Sequence, residues 1–535
     1  MQTMTMELGS NRNVQTPCAY KIGDTITLAQ LGEEKIECKV KSLLGEGATA
    51  TVFKVITTAN GDTRALKVFK MENSCAELCK EASLVLTANF PRSHPNVVQA
   101  DFVWFEQGTR EMSFLLGLVD GGDLRGWMDD ERLYSGTAAE QQGRIVRVAD
   151  QIARGLQHLH NLAILHEDFK PDNTLMTADG RPVLADLGCG ERGVIAAGVV
   201  KAVLRGGTPV YASPNVRKLF FEAKSRPVTE RKSFLEANKI THLDDFFAMG
   251  ATILEMFAEC GWRQGRAVAD IFATTSLPEL VASQHFRVPI PEGMLLVLTT
   301  CFGDSSSAAA TATGVNSVVD LLSEVDLLSE EFAHEPPPST EEGLTGERCA
   351  SIRNNLAIAL ISDAGNLDGA REQLEQAIEA NPDSAQTLNN LGVVKERQGD
   401  NEDAARHFQS ALEVEPDHAA AAFNLGRVRD GRSAVTQLDR TGVVGAMGES
   451  GGKVALQDAL KFVSGQQLDV YRQAKWKPVP AAQLHLASFF CAAGGTQFAA
   501  KKSFFKMTKQ CKHCGEDKAQ HEVKVRGLLF LRHYC

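Results

Sequence analysis

HEDFKPDNTLMTADGRPVLADLG, residues His166 to Gly188, sets a carboxylate, an ammonium, an amide and a second carboxylate at fixed offsets: Asp168, Lys170, Asn173 and Asp186. A magnesium nucleotide site needs these groups. Moving a phosphoryl group takes a carboxylate to position or deprotonate the incoming hydroxyl, a cation on the moving phosphate, and hard oxygen ligands for the metal. Chance seldom supplies all four in one short stretch.

Upstream, LLGEGATATVFKV carries apolar residues into Gly45, Glu46, Gly47, Ala48, Thr49 and Ala50, and then to Val52. The pattern predicts strand, tight turn, strand, with bare backbone able to approach phosphates. Alone, a G-x-G-x-x-A string is more often a plain hairpin turn. RALKVFK follows as a second strand, with Lys67 set among Ala65, Leu66, Val68 and Phe69. A lysine in so apolar a strand buries an unpaired charge unless an anion meets it. Glu81 can supply that anion from CAELCKEASLVLTANF, where Leu78, Ala82, Leu84, Val85 and Leu86 give a predicted helix an apolar face. Two unrelated surface charges are the alternative reading of that pair.

Glycine loop, strand lysine, helix glutamate, the HPNVV turn at His94–Val98, VDGGDL at Val119–Leu124, the HED loop, DLG, and GTPVYASPN at Gly207–Asn215 occur in one order along the chain. In that order they resemble the eukaryotic protein kinase family over about residues 35–330. The resemblance implies an α+β fold, bilobal, with a β-rich N-lobe and a helical C-lobe. It also implies roles. Lys67 would contact the α- and β-phosphates of ATP and pair with Glu81, Asp168 would accept the substrate hydroxyl proton, Lys170 would steady the γ-phosphate, and Asn173 and Asp186 would ligate Mg2+. Val52, Ala65 and Leu175 would sandwich adenine, with Leu116 behind it and Leu118 and Val119 offering backbone hydrogen bonds. A lysine two residues after the catalytic aspartate, with Thr208, marks serine/threonine specificity in this family.

Three departures stand out. Glu167 occupies the position where many kinases carry the arginine that holds an activation-segment phosphate. Between Asp186 and Thr208 the segment LGCGERGVIAAGVVKAVLRGG has no serine, threonine or tyrosine. Together they predict activity independent of activation-segment phosphorylation, with Glu167 either solvated or paired to Arg192, Lys201 or Arg205. Next, Asn215 replaces the family's A-P-E glutamate, and Ala308 lies about where its arginine partner is expected. Last, residues 216–243 form a long basic insertion, with Arg217, Lys218, Lys224, Arg226, Arg231, Lys232 and Lys239 beside Phe220, Phe221 and Phe234. It reads as a solvated helical insertion or as a dock for acidic substrates.

Beyond AHEPPPSTEEG the periodicity changes. Ala370, Leu374, Ala377 and Pro382 are answered 34 residues later by Ala404, Phe408, Ala411 and Pro416. This resembles the tetratricopeptide repeat, whose stacked helices leave a concave face for a peptide or protein partner. FNLGRVRD, Phe423–Asp430, begins a further helix able to cap the stack. Two units bury little alone, so packing on the kinase unit or self-association would supplement them. The tail, CKHCGEDKAQHEVKVRGLLFLRHYC, spaces Cys511, Cys514, His521, His533 and Cys535 for a tetrahedral zinc site and resembles the start of a MYND-type zinc finger without its second CxxC. Free thiols are the alternative.

The chain of 535 residues carries 43% hydrophobic and 23% charged residues, a globular composition with room for roughly three domains. Its net charge of -11 argues against general affinity for nucleic acid or an anionic membrane. No signal peptide or apolar run long enough to span a bilayer is evident, and twelve scattered cysteines fit a reducing compartment, cytoplasm or nucleus. The expected organisation is an N-terminal extension (1–34), a protein kinase domain (35–330), a Pro/acidic linker (331–348), an all-α helical-repeat domain (349–430), an unassigned, partly helical stretch (431–510) and the cysteine/histidine tail (511–535). The expected function is an ATP- and Mg2+-dependent serine/threonine kinase acting on a protein substrate, with repeats that recruit a partner. The alternative is a catalytically weak kinase-fold scaffold that binds nucleotide.

Overall fold

The computed structural model describes residues 4–5, 20–28, 36–47, 49–69, 75–106, 111–259, 263, 266–282, 286–303, 341–342, 345–361 and 365–429. Ala48, Ala308, most of the linker, residues 431–510 and the zinc candidates Cys511, Cys514, His521, His533 and Cys535 lie outside them. Packing divides the chain into two compact units, with the main division between residues 352 and 353.

The first unit opens with an antiparallel sheet of β1 (Thr25–Leu28), β2 (Ile36–Glu46), β3 (Ala50–Thr57), β4 (Thr63–Phe69), β5 (Ala100–Glu106) and β6 (Glu111–Gly117), in spatial order β1-β2-β3-β4-β6-β5. Side chains alternate across it, as the period of two requires. Val40, Phe53, Val55, Leu66, Val68, Phe102 and Leu115 close one core. The opposite face carries Val52, Ala65, Lys67, Phe114 and Leu116, because Val52 pairs with Lys67, Lys67 with Phe114 and Ala65 with Leu116. Helix α1 (Cys75–Asn89) follows β4 and buries Leu78, Ala82, Leu84, Val85 and Leu86.

Helices dominate the rest of the unit. Asp123 caps α2 (Leu124–Asp129), and Thr137 with Glu140 forms a reciprocal capping box on α3 (Ala138–Asn161). Helix α6 (His242–Phe257) is apolar around most of its circumference and buried along its length, as the central helix of a lobe must be. The strand pair β7 (Ile164–Leu165) with β10 (Glu191–Arg192) brackets residues 166–188, which contain the hairpin of β8 (Thr174–Met176) and β9 (Pro182–Leu184). Helices α7 (Val268–Phe272), α8 (Leu277–Ala282) and α9 (Glu292–Phe302) complete the lobe, α9 packing on α6.

The hydroxyl-free segment is ordered by pairing and apolar burial. Residues Val194–Ala196 (β11) and Val199–Ala202 (β12) form a hairpin, turned by Ala197 at φ 51 and Gly198 at φ 76. Two positive φ values suit the two-residue turn whose twist matches the flanking strands. β12 pairs onward with β13 (Ile240–Thr241), at the far end of the basic insertion. That insertion is two helices, α4 (Pro214–Ser225) and α5 (Val228–Ala237), whose Leu219, Phe220, Ala223 and Leu235 cluster with Val200, Ala202, Leu204 and Ile240. Lys218, Lys224, Arg226, Lys232 and Lys239 remain exposed, while Arg217 pairs with Asp270 at 3.0 Å.

In the second unit, helices α11 (Leu367–Ala380), α12 (Ala385–Arg397), α13 (Asn401–Val414) and α14 (Ala419–Arg429) form antiparallel neighbours, after α10 (Gly346–Ala359). The residues of the 34-residue repeat are the packed ones: Ala370, Leu374 and Ala377, then Ala404, Phe408 and Ala411, are all fully buried. Buried asparagines link the first helix of each pair, Asn390 donating to Asn354 at 2.8 Å and Asn424 to Asn389 at 2.9 Å. Among the described residues no helix is long and apolar enough to cross a membrane.

Candidate active site

β4, α1, the loop between β7 and β8 and the chain after β9 carry the charged sequence-predicted residues to one place. β4 presents Lys67, which donates to Glu81 of α1 at 2.7 Å and to Asp186 at 3.0 Å. Burial alone would lower the Lys67 ammonium, but Asp186 and Glu81 beside it outweigh burial and hold it above its usual range. Lys67 in turn holds the Asp186 carboxyl below its usual range. Lys67 is therefore the half-buried, paired lysine that its apolar strand required.

The loop between β7 and β8 brings the other quartet members together. Lys170 donates to Asp168 Oδ2 and to Thr208 Oγ1, both at 2.7 Å, and Thr208 donates to Asp168 Oδ1 at 2.6 Å. Asn173 donates through Nδ2 to Asp168 O and Oδ2, which leaves its carbonyl oxygen for another partner. Asp186 adopts φ 63, a left-handed backbone that few non-glycine residues take without cause, and its side chain is 51% exposed. A hard cation finds two oxygen donor groups here, the Asn173 amide carbonyl and the Asp186 carboxylate, with Lys67 beside them for phosphate. The donor set suits Mg2+ and nucleotide.

Beside it, the sheet face supplies Val52, Ala65 and Leu116, and Leu175 stands half-buried on β8. Sheet pairing of β6 ends at Gly117, so the main chain of Leu118 and Val119 is outside the ladder. Gly45 pairs with Val52 and Glu46 with Thr51, and Gly47 donates to Ala50 at 2.9 Å, closing the glycine turn; Glu46, Gly47 and Thr49 are exposed.

Asp245, to which the sequence assigned no role, anchors the loop between β7 and β8. It accepts from the amides of His166 at 2.8 Å and Glu167 at 2.9 Å and bonds His160 Nε2 at 2.8 Å. Its signal was weak because it sits 79 residues beyond His166 in an apolar helix. Tyr211 was missed likewise: its hydroxyl donates to Glu255, which also binds Arg125 at 3.1 Å and Arg263 at 2.8 Å.

Glu167 departs from expectation. The contact found is with Arg205, through the main-chain amide at 2.7 Å; the Arg205 guanidinium bonds Glu191. Glu191 bonds that guanidinium, so Glu167 meets backbone where an ion pair or solvent was expected. Asn215, which stands in place of the family's glutamate, hydrogen-bonds the Asp244 carboxyl, which burial raises and which Ser213 and the Thr241 amide also satisfy.

Glu167 Oε1 is buried with no hydrogen-bond partner among the described residues. Burial pushes this carboxyl well above its usual range near 4.5; the Arg205 amide and Lys80 oppose the rise without cancelling it. A group raised in the fold contributes stability that is full below its unfolded pKa and lost as pH rises through its folded one. Thermal melts of Glu167→Gln and wild type between about pH 5 and pH 8 are expected to diverge, wild type losing more on the alkaline side. Parallel profiles would refute this.

With this geometry established, comparison with known proteins is specific. Residues 38–280 match the protein kinase domain model, residues 363–399 a TPR repeat model and residues 391–435 a tetratricopeptide repeat model. Mitogen-activated protein kinase kinase kinase 2 of Arabidopsis thaliana is 26% identical over 47% of this chain and 35% of its own length. Serine/threonine-protein kinase RAD53 of Saccharomyces cerevisiae is 28% identical over 40% of this chain and 24% of its own. Mitogen-activated protein kinase kinase 7 of Arabidopsis thaliana is 27% identical over 40% of this chain and 62% of its own. The chain thus spans less than two thirds of each of these relatives.

Proposed function

We propose that this chain, which carries a protein kinase domain followed by tetratricopeptide repeats, is a serine/threonine protein kinase that uses ATP and Mg2+ and recruits a protein partner through its repeats. The observation that carries the reading is the assembled pair of networks: Lys67 with Glu81 and Asp186, and Asp168 with Lys170, Asn173 and Thr208. A scaffold has no use for every charged group at once. Bound ATP with Mg2+ would supply the γ-phosphoryl group and offset the charge on its oxygens, held by Asn173, Asp186 and Lys67. Asp168 orients the incoming hydroxyl and takes its proton, Lys170 and Thr208 fix the Asp168 carboxylate, and Lys170 faces the charge that builds during transfer. Purified chain incubated with labelled ATP and a serine/threonine peptide tests this; nucleotide binding without transfer would favour the scaffold.

Activity is proposed to need no activation-segment phosphate. Thr208, at the end of the segment, is 5% exposed and bonded to both Asp168 and Lys170, so a phosphate on it would displace the catalytic network. Phosphatase treatment of active protein is expected to leave kcat within about twofold of its starting value. A large loss traced to Thr208 would overturn the proposal. The working compartment is proposed to be the cytoplasm, from reduced cysteines, among which Cys38, Cys189 and Cys301 of the described residues are free thiols.

A further inference from the structure

Four ionisable groups meet where α1, the catalytic loop and the activation segment converge. Lys80 of α1 lies 2.7 Å from Glu191 Oε2. Glu191 belongs to β10, whose pairing with Leu165 of β7 fixes it beside the catalytic loop. The same oxygen accepts from Arg205 Nε, and the Arg205 amide donates to Glu167. With its side chain 16% exposed, Glu191 is poorly reached by screening ions.

Lys80 precedes Glu81, and consecutive helical residues point roughly 100° apart, so fixing Lys80 fixes the azimuth at which Glu81 is presented. Glu81 meets Lys67 at 2.7 Å at that azimuth. Elsewhere a phosphate added to an activation segment can order it by gathering cations around itself. Here one carboxylate, built into the segment, already gathers two.

We propose that Glu191 is a positioning residue, a permanent anion in the role of an activation-segment phosphate, which ties α1 to the segment through Lys80 and Arg205 and keeps Glu81 on Lys67. The proposal rests on the kinase reading above, and it adds the means by which a segment without hydroxyls stays active. Arg205 serves both ends, its guanidinium on Glu191 and its amide on Glu167. An arginine in place of Glu167 would add a third cation beside Lys80 and Arg205, which accounts for a carboxyl-bearing residue at that position.

The test uses the full chain and reads two quantities, transfer of labelled phosphate to a serine/threonine peptide and hydrogen exchange of amides 75–89. Glu191→Gln and Lys80→Met are each expected to lower kcat about tenfold with the peptide KM within about twofold, and to speed exchange in α1. The double variant should lose no more than the worse single one, since Lys80→Met removes a tie that Glu191→Gln already removes. Lys80→Arg, which keeps the charge, should retain activity within about twofold. Losses that multiply to about a hundredfold in the double variant, or single variants with wild-type kcat and wild-type exchange in α1, overturn the proposal. If wild type transfers no phosphate, the kinase reading fails, while exchange in α1 still decides whether Glu191 holds the helix.

Discussion

Asp168→Asn is expected to lower phosphoryl transfer by about 10³-fold while leaving nucleotide affinity within a few-fold, since a positioned general base contributes roughly 10²–10⁴. The size of the loss follows from how many groups converge on that one carboxylate. Its Oδ2 takes hydrogen bonds from Lys170 at 2.7 Å and Asn173 at 3.1 Å, and its Oδ1 one from Thr208 at 2.6 Å. Asparagine keeps the shape and the oxygen but turns an acceptor into a donor facing Lys170 or Thr208, and it cannot take the hydroxyl proton. Nucleotide affinity should survive because Lys67, Glu81 and Asp186 form a separate network on β4, α1 and the strand end after β9. The measurement is kcat with a peptide substrate, beside a titration with a fluorescent nucleotide. Wild-type transfer no faster than that of Asp168→Asn would leave the chain a nucleotide-binding scaffold.

What the sequence revealed and what it hid divide along physical lines. Asp168, Lys170, Asn173 and Asp186 were legible because they lie within one strand, loop and hairpin, where local chain geometry brings them together. Lys67 announced itself by being a charge in an apolar strand, and the repeats by a period that burial of Ala404, Phe408 and Ala411 explains. Asp245 was hidden because its role is to accept two amides of the catalytic loop, and any aspartate on a helix can do that. Glu191 was hidden for a related reason: Lys80 and Arg205 reach it from distant parts of the chain, and nothing in their residue types distinguishes them from solvated charges. Glu167 was recognised as a departure and Arg205 named among its candidate partners, but residue type favours a guanidinium and only three-dimensional placement shows the amide as the contacting group. The insertion shows the same limit. Its helices follow from composition, but the pairing of β12 with β13, which makes the insertion a brace for the activation segment, is a tertiary event.

Phe408→Ala is expected to cost about 3–5 kcal/mol, the range for truncating a fully buried aromatic, and so to abolish ordered packing of α12, α13 and α14. Phe408 is fully buried and belongs to a cluster with Val393, Ala404 and Leu425, one side chain from each neighbouring helix and one from its own. Gly392 of α12 lies against its ring so closely that an added Cβ would sit 2.5 Å from Phe408 Cε1. The two residues are therefore shaped to each other: the glycine has no side chain because the ring fills that space, and alanine at 408 would leave a void that α12 cannot close without moving backbone. In a stack of helical repeats each unit is stabilised mainly by its neighbours, so the loss spreads to α14. Against a domain stability of about 5–15 kcal/mol, a deficit of this size leaves the repeats marginal at best. Gly392→Ala should destabilise too, by about 1–3 kcal/mol, since it overpacks the same contact from the other side. Hydrogen exchange of amides 385–429 in the full chain reads both changes. Wild-type protection in Phe408→Ala would mean that the ring is not what holds these helices together.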